Sequence, residues 1–368
     1  MTVELAILIV CAFSLLIQLF YILFFFRKII FFKDINNNFK PSVSIIICAK
    51  DEYENLENYL KTILNQDYPN FEVIVVNDQS VDNSRFLLEN FEKRYNNLVV
   101  VNIDDNVKHS IGKKFALTMG IKTAKHEFLL LSDADCFVES KHWITSMVHN
   151  FKSSDIVLGY GNYEKKPGLL NMMIRFDSYI VALQYLSFSL KSLTYMGVGR
   201  NLAYKKSLFF KNKGFANHLH IPSGDDDLFI KEVAKDSNVV IEMSNNSHTI
   251  SKAKDSWSSW IRQKKRHFST SSLYSLNVKF LLGLFPLSQL LFFGSLCLLI
   301  ILKVSFVFWL PILVVKILLS YLMNYFTMKR LNCIDLLFFQ PLLEIFHLIF
   351  HGLLFIFSVN QTPKKWSS

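Results

Sequence analysis

The stretch FLLLSDADC (residues 128–136) is a short apolar run that ends directly in two carboxylates. Residues 128–131 predict a buried strand. In the extended segment that follows, residues two apart point to the same side, so Asp133 and Asp135 face one direction. Like charges this close repel each other unless a cation lies between them. The strand before them therefore favours a site for a hard divalent cation, Mg²⁺ or Mn²⁺, over a solvated turn.

The region before this stretch alternates between two sequence patterns. Apolar, β-branched runs predict strands, and apolar residues at helical spacing predict helices between them. This alternation predicts an α/β domain with a mostly parallel, Rossmann-like sheet and right-handed crossovers. The predicted strands are 43–48, 71–76, 98–101 and 128–131, and the predicted helices are 54–66, 86–95 and 111–124.

Acidic residues follow three of these four strands. Ligands of open α/β sheets bind beyond the carboxyl ends of the strands, so we expect these acids at one edge of the sheet. Acids at such positions also cap helices and stabilise turns, and capping is the better interpretation of Asp82. In strand order the acids are Asp51 and Glu52, then Asp78 and Asp82, then Asp133 and Asp135.

Three later stretches carry residues suited to binding a ligand. YMGVGRNLAYKK (195–206) has two glycines, which let either a ligand or the sheet approach the backbone closely. SGDDDLFI (223–230) has three aspartates before an apolar helix, where one is enough for capping. WSSWIRQKKRHFST (257–270) has tryptophans and basic residues that suit a membrane interface or a diphosphate clamp.

Apolar residues concentrate at the two ends of the chain. Residues 3–26 are long and apolar enough to cross a bilayer, and Arg27 and Lys28 follow them. Because positive charge marks the cytosolic side, we expect the N-terminus outside and the following domain in the cytosol. A cleaved signal peptide fits poorly, because its positive charges would precede the apolar run.

The C-terminal third contains three more apolar runs. Residues 280–302 and 304–328 predict two membrane helices, and Lys329 and Arg330 again mark the cytosolic side. The third run, 334–359, has one polar helical face, which we expect to pack inward unless the helix lies along the membrane surface. That face consists of Gln340, Glu344, His347 and His351. Lys364 and Lys365 after this run indicate a cytosolic C-terminus rather than a full crossing.

The composition narrows the classes of protein further. Among 368 residues, the five cysteines have no paired spacing, which argues against a disulfide framework or a zinc site. The net charge of +10 is better explained by anionic lipid and phosphate substrates than by nucleic acid, given the membrane runs. A transporter would show paired and broken membrane helices, which this sequence lacks.

Taken in order, these motifs resemble the family 2 glycosyltransferases, which are membrane-anchored inverting enzymes with a GT-A catalytic domain. The resemblance covers about residues 40–270 and rests on several ordered motifs. It implies a cytosolic catalytic domain at 40–270, between an anchor at 1–28 and a membrane region at 278–359. The expected location is the plasma (inner) membrane.

Three motifs resemble the nucleotide side of the family's site. VSIIICAKDEYENL (43–56) is similar to the first strand and nucleotide loop, and NDQSVD (77–82) to DDGSxD, with Asn77 replacing the first acid. GKKFAL (112–117) is similar to the segment that supplies a lysine. With the motifs below, the resemblance implies that the donor is bound by Ala49, Asp51, Glu52, Asp78, Lys113, Asp133, Gln263 and Arg266.

Three further motifs resemble the reacting side. SDADC (132–136) matches the family's DxD metal site, so the resemblance assigns Mg²⁺ or Mn²⁺ to Asp133 and Asp135. GDDDL (224–228) resembles ED-x-D-L, whose aspartate is the catalytic base, and without the glutamate the base is either Asp225 or Asp226. QKKRH (263–267) resembles QxxRW, with histidine in place of tryptophan.

The resemblance implies transfer of a sugar from a nucleotide-diphosphate sugar, most often UDP-linked, to a hydroxyl group. The acceptor would be a lipid-linked sugar or a glycan of the cell envelope, and membrane lipid would be the other partner. The altered QxxRW motif favours single-sugar transfer over processive synthesis. Two alternatives remain open at this point, namely transfer to polyprenyl phosphate and a catalytically silent membrane partner of a polysaccharide assembly complex. The intact acids argue against the silent partner.

Overall fold

The computed structural model describes residues 3–34, 37–104, 112–221 and 223–358 of the chain. Ten strands lie within these ranges and form two sheets. In chain order they are β1 (Val43–Ala49), β2 (Phe71–Asp78), β3 (Leu98–Ile103), β4 (Phe128–Asp133), β5 (Cys136–Phe137), β6 (Ile156–Leu158), β7 (Gly161–Tyr163), β8 (Leu202–Lys205), β9 (Val239–Ile241) and β10 (Thr249–Ser251).

The α-helices of the described ranges connect these strands and extend at both ends. The first two are joined by a π-helix (Ile22–Phe26) into one continuous helix, and short 3₁₀ turns lie between others. The helices are α1 (Val3–Tyr21), α2 (Arg27–Ile30), α3 (Tyr53–Leu64), α4 (Ser84–Glu92), α5 (Lys113–Thr123), α6 (Trp143–Val148), α7 (Leu169–Ser189), α8 (Lys206–Lys211), α9 (Asp227–Val233), α10 (Trp257–Ser271), α11 (Leu276–Ile301), α12 (Phe306–Arg330) and α13 (Gln340–Ser358).

The main sheet has the strand order β3-β2-β1-β4-β8-β6-β9. Strand β1 is parallel to both neighbours, with Ala49 beside Asn77 of β2 and Cys48 beside Asp133 of β4. The carboxyl ends of β1, β2 and β4 therefore meet at one edge. Strand β8 is antiparallel to β4 and β6, so the sheet is mostly parallel, as predicted. A smaller sheet has the order β5-β10-β7.

Helices cover both faces of the main sheet, because alternate residues of each buried strand point to opposite sides. Ile45 and Ile47 of β1 belong to a core shared with α3, α4 and α6. Ile46 and Cys48 belong to the core on the other face, which includes α5 and α7. This second core continues into the N-terminal helix, where the rings of Phe25 and Phe188 of α7 lie 4.4 Å apart. The main sheet and the apolar helices thus share one core.

Four helices of the described ranges are long and apolar enough to cross a membrane. They are Val3–Ile30, Leu276–Ile301, Phe306–Arg330 and Ile334–Ile356. The first packs along α11, where the Tyr21 hydroxyl donates to the Leu281 carbonyl over 2.6 Å. The helices confirm the predicted apolar runs as helical, and their crossing of a membrane stays a prediction.

The polar face of the last apolar helix packs inward. Gln340 donates to Glu344, which also accepts from Lys316 of α12. His347 and His351 both bond to one oxygen of Asp177 on α7, over 3.1 and 2.7 Å. Inward packing was one of the two interpretations of this face. Residues 359, 364 and 365, on which the end of this region and the C-terminal orientation depend, lie outside the described residues.

Candidate active site

The loops after β1 and β2 are tied together by two acids. Asp51 has a φ of 54°, and its Oδ1 accepts the N–H of Val81 over 2.8 Å. Asp82 accepts the N–H of Tyr53 and of Ser84, the first residues of α3 and α4, each over 2.9 Å. The capping interpretation of Asp82 is therefore confirmed. Its bond to the Ser84 N–H also explains why α4 begins at Ser84 and not at the predicted residue 86.

The last residues of β1 and β2 form a buried base beneath these loops. Ala49 is fully buried, and Asp78 is 2% exposed. Burial raises the pKa of Asp78, and Lys50 acts in the opposite direction. Asn77, which replaces the first acid of the family motif, donates to Asn102 of β3 over 2.9 Å. Asp78 therefore supplies the acid at the end of β2, and the loop that follows it is bonded to Asp51.

Lys113 joins the candidate metal ligand Asp133 to the candidate base Asp225. It begins α5 directly after Gly112, whose φ of 80° suits glycine alone, and the structure describes this helix from that point only. Its Nζ lies 2.8 Å from Asp133 Oδ1 and 3.1 Å from Asp225 Oδ2. Burial alone would lower the pKa of Lys113, but the surrounding aspartates raise it well above its usual value. The lysine therefore stays positively charged between the two carboxylates.

The DAD segment fits a hard divalent cation. Ligand atoms of Asp133, Asp135 and Cys136 all lie within 4.8 Å of one another. Burial, and next the charge of Asp133, raise the pKa of Asp135, which a cation would reverse. The Cys136 thiol lies 3.0 Å from Ser251 Oγ, and burial raises its pKa well above its usual value. Carboxylates suit Mg²⁺ or Mn²⁺ and a protonated thiol does not, so the two aspartates are the fitting ligands.

Glu52 extends this acidic group from the first strand end. Burial raises the pKa of Glu52 to about 7, the Asn55 amide opposes that rise, and the charge of Asp135 adds to it. The Glu52 side chain therefore lies close enough to Asp135 for the charge of Asp135 to affect the pKa of Glu52. The first and fourth strand ends are thus brought together, as the sequence predicted.

The three consecutive aspartates have three different environments. Asp226 caps α9 through the N–H of Asp227, and its other oxygen accepts the N–H of Gly199, both over 2.8 Å. Asp227 accepts the N–H of Leu228 and the hydroxyl of Tyr274. Protein N–H and O–H groups thus occupy both oxygens of Asp226 and of Asp227, whereas Asp225 pairs with the Lys113 ammonium.

The pKa shifts of the first two aspartates follow from these contacts. Burial raises the pKa of Asp225, but the ammonium of Lys113 outweighs it and holds the pKa below its usual value. Burial, and next the charges of Asp225 and Asp227, raise the pKa of Asp226. Asp225 therefore keeps its negative charge to lower pH than Asp226 does.

Gln263 and Arg266 lie one turn apart on α10. Gln263 donates to the hydroxyl of Tyr163 over 3.4 Å, which directs it toward the smaller sheet. The Arg266 carbonyl lies 3.5 Å from Ser223 Oγ, close to the aspartate segment. His267 is exposed, so the departure from the family's tryptophan lies at the surface. Both predicted side chains thus belong to the helix that flanks the site, and their roles stay predictions.

Two lysines hold the site's surroundings. The sequence patterns indicated no role for Lys114 and placed Lys264 among the basic residues suited to a membrane interface or a diphosphate clamp. Lys114 is 3% exposed and donates to the carbonyls of His218 and Ile221 over 2.6 and 3.0 Å. Lys264 forms an ion pair with Asp177 instead of facing a substrate. Their partners lie far away in the sequence, and only the repeated lysines in GKK and QKK hinted that these positions matter.

Comparisons with known proteins agree with this geometry. Residues 44–211 match the model of glycosyl transferase family 2. The chain is 26% identical over 145 residues to an uncharacterized glycosyltransferase of Haemophilus influenzae, covering 39% of this chain and 42% of that protein. It is 31% identical over 119 residues to a poly-beta-1,6-N-acetyl-D-glucosamine synthase of Staphylococcus aureus, and this alignment covers 32% of this chain and 27% of that protein. The aligned regions span less than half the length of these relatives.

A solved structure extends the likeness to nearly the whole chain. It is the mannosyltransferase PcManGT from Pyrobaculum calidifontis in complex with GDP-Man and Mn²⁺. The TM-score is 0.59 at 16% identity, and the superposition covers 95% of this chain and 99% of that chain. At this identity the likeness concerns the fold. Residues 44–211 therefore match a family 2 glycosyltransferase domain, and the chain has the GT-A fold.

Proposed function

We propose that the chain is a membrane-bound inverting glycosyltransferase that uses a nucleotide-diphosphate sugar, with UDP the first donor nucleotide to test. The observation that carries this proposal is the bridge from Asp133 through Lys113 to Asp225, with contacts of 2.8 and 3.1 Å. The bridge brings the candidate metal ligand Asp133 and the candidate base Asp225 to the same ammonium group. The metal ligand would serve the diphosphate leaving group, and the base would serve the attacking hydroxyl group, so the two carboxylates need to lie close together.

The donor is bound at the strand ends. Asp78, at the end of β2 beneath the loops, contacts the base or ribose of the nucleotide, and Ala49 at the end of β1 and Glu52 in the loop after it line the same site. Asp133 and Asp135 hold Mg²⁺ or Mn²⁺, which when bound neutralises charge on the departing diphosphate. The solved relative was obtained with GDP-Man and Mn²⁺, which supports the same ligand classes here.

The remaining groups act on the phosphates and on the acceptor. Lys113 adds positive charge beside Asp133, and Gln263 and Arg266 contribute hydrogen bonds from α10. Asp225 accepts the proton of the acceptor hydroxyl as its oxygen attacks the anomeric carbon. Because attack and departure occur on opposite faces of the sugar, one displacement inverts its stereochemistry.

The apolar helices suggest where the acceptor resides. Among the described residues, four helices are long and apolar enough to cross a membrane, and α7 packs against both the first of them and the main sheet. A lipid-linked or growing cell-envelope glycan would reach the site from this side. The polysaccharide synthase named among the relatives supports that class of acceptor. Arg27 and Arg330, at the ends of two of the spans, favour a cytosolic catalytic domain in the plasma membrane.

A donor screen tests this function. Purified full-length protein in detergent is incubated with Mn²⁺ and a panel of UDP- and GDP-sugars, and slow nucleotide release is measured without acceptor. We expect release from one donor, which a chelator and the Asp135→Ala substitution each abolish. Release that is unchanged in Asp135→Ala at limiting metal would refute the metal assignment. A wild-type protein that binds and hydrolyses no donor would refute the transferase function.

A further inference from the structure

Arg200 carries a positive charge that no described carboxylate neutralises. Its Nη2 donates to Ser178 Oγ over 2.8 Å, and its guanidinium lies 4.5 Å from the centre of the Tyr163 ring. Its Nε is buried without a hydrogen-bond partner among the described residues. A serine hydroxyl and an aromatic face contact the guanidinium without cancelling its charge. Most of its five N–H donors are therefore left for another ligand.

Arg175 is the matched case of an arginine whose charge is neutralised within the protein. It is 3% exposed, and its Nη1 and Nη2 donate to the two oxygens of Asp335, each over 2.7 Å. A guanidinium does not lose its proton in a protein, so a charge held away from water needs an anionic partner. The protein supplies that partner to Arg175 and, within the described residues, not to Arg200.

The surroundings of Arg200 connect it to the candidate active site. Its carbonyl accepts the hydroxyl of Ser132, the residue before Asp133, over 3.4 Å. The preceding Gly199 donates its N–H to Asp226. The backbone of Arg200 therefore lies at the end of β4, directly before the carboxylates that suit a metal. The Tyr163 ring against its guanidinium belongs to the smaller sheet, whose first strand begins directly after Asp135.

We propose that Arg200 binds a phosphate group of a substrate, with its guanidinium plane held by the Tyr163 ring. A planar fork of N–H donors matches phosphate oxygens, and the resulting charge-assisted bonds are strong. This inference rests on the proposed function, which supplies two sources of phosphate. One is the diphosphate of the donor, and the other is a phosphate carried by a lipid acceptor.

The test compares phosphate binding by Arg200→Gln and Ser178→Ala in the full chain, in lipid nanodiscs. One arm measures the Kd of UDP and of GDP with Mn²⁺ by calorimetry. The other arm measures the Kd of a polyprenyl phosphate against the polyprenol of the same length. We expect Arg200→Gln to weaken one phosphate ligand by about tenfold or more, and polyprenol not at all. Arg200→Lys should recover part of the lost affinity.

The Ser178→Ala variant separates binding from a structural role. It removes the one side-chain hydrogen bond of the guanidinium within the described residues and leaves the charge in place. We expect its phosphate affinity to match that of the wild type. We also expect Arg200→Gln to melt no lower than the wild type, since an unpaired charge has been removed. Arg175→Gln should melt lower because it removes both guanidinium bonds to Asp335, which then keeps only its ion pair with the exposed Lys165.

The arms distinguish the possible outcomes. Weaker UDP or GDP binding in Arg200→Gln assigns the site to the donor, and weaker polyprenyl phosphate binding assigns it to the acceptor. Unchanged affinity for every phosphate ligand overturns the inference, as does an equal loss in Ser178→Ala. Wild-type protein that binds neither nucleotide would contradict the proposed function, while the lipid arm would still decide the role of Arg200.

Discussion

At the scale of single residues, the aspartate segment makes the sharpest distinction. Asp225 pairs with Lys113 over 3.1 Å, whereas backbone N–H groups occupy both oxygens of Asp226. We predict that Asp225→Asn abolishes sugar transfer and leaves donor affinity within about twofold, since an amide cannot take the acceptor's proton. The measurements are the transfer rate at saturating donor and the Kd of the donor.

Asp226→Ala is the matched control for that prediction. Losing the cap of α9 should cost about 1 kcal/mol of unfolding free energy, seen as a lower melting temperature. Some transfer should remain, because the candidate base is intact. Full transfer by Asp225→Asn, with none by Asp226→Asn, would assign the base to Asp226 instead.

At the scale of elements, Lys114 connects α5 to the segment before the aspartates. Its Nζ donates to the carbonyls of His218 and Ile221 from a position 3% exposed. We predict that Lys114→Met frees this segment and lowers the transfer rate at saturating donor, with little change in donor affinity. Hydrogen exchange of the amides around Ile221 should rise in the same variant. Unchanged exchange and rate would show that the two hydrogen bonds do not position Asp225.

A second connection between elements holds α13 against α7 and α10. Asp177 is 1% exposed and contacts Lys264, His347 and His351. We predict that Asp177→Asn lowers the unfolding free energy by about 3–5 kcal/mol, because the Lys264 charge is left unpaired. Thermal unfolding in detergent measures this loss. Adding Lys264→Met to Asp177→Asn should restore part of it, and a double variant no more stable than the single one would contradict the pairing.

The elements that the sequence predicted are those whose signals are local. The strand at FLLLSD and the cap at Asp82 depend on neighbours within a few residues, so periodicity and capping rules were sufficient. Lys114 and Asp177 depend on partners 104 and 170 residues away. No local pattern encodes such pairs. The choice between Asp225 and Asp226 likewise required the position of Gly199, which only the fold supplies.

At the scale of the whole molecule, the proposed orientation depends on the charges that flank the candidate membrane spans. Arg27 and Arg330 lie near the ends of two spans that adjoin the catalytic domain. We predict that Lys93→Cys, an exposed position after α4, is labelled by an impermeant maleimide in inside-out vesicles only. The variant should be made in a Cys297→Ser background, because Cys297 is an exposed native thiol. Labelling in intact cells would contradict the cytosolic orientation.

The central claim is that Asp133 and Asp135 hold a divalent cation together with the nucleotide diphosphate. The most direct measurement is a Mn²⁺ titration followed by electron paramagnetic resonance, with and without UDP or GDP. We predict that one Mn²⁺ binds per chain. In the wild type and in Asp225→Asn, Mn²⁺ should bind more tightly when UDP or GDP is present than when it is absent. Binding should be lost in Asp133→Asn and in Asp135→Asn. Equal Mn²⁺ affinity in the wild type and both of those variants would contradict the claim.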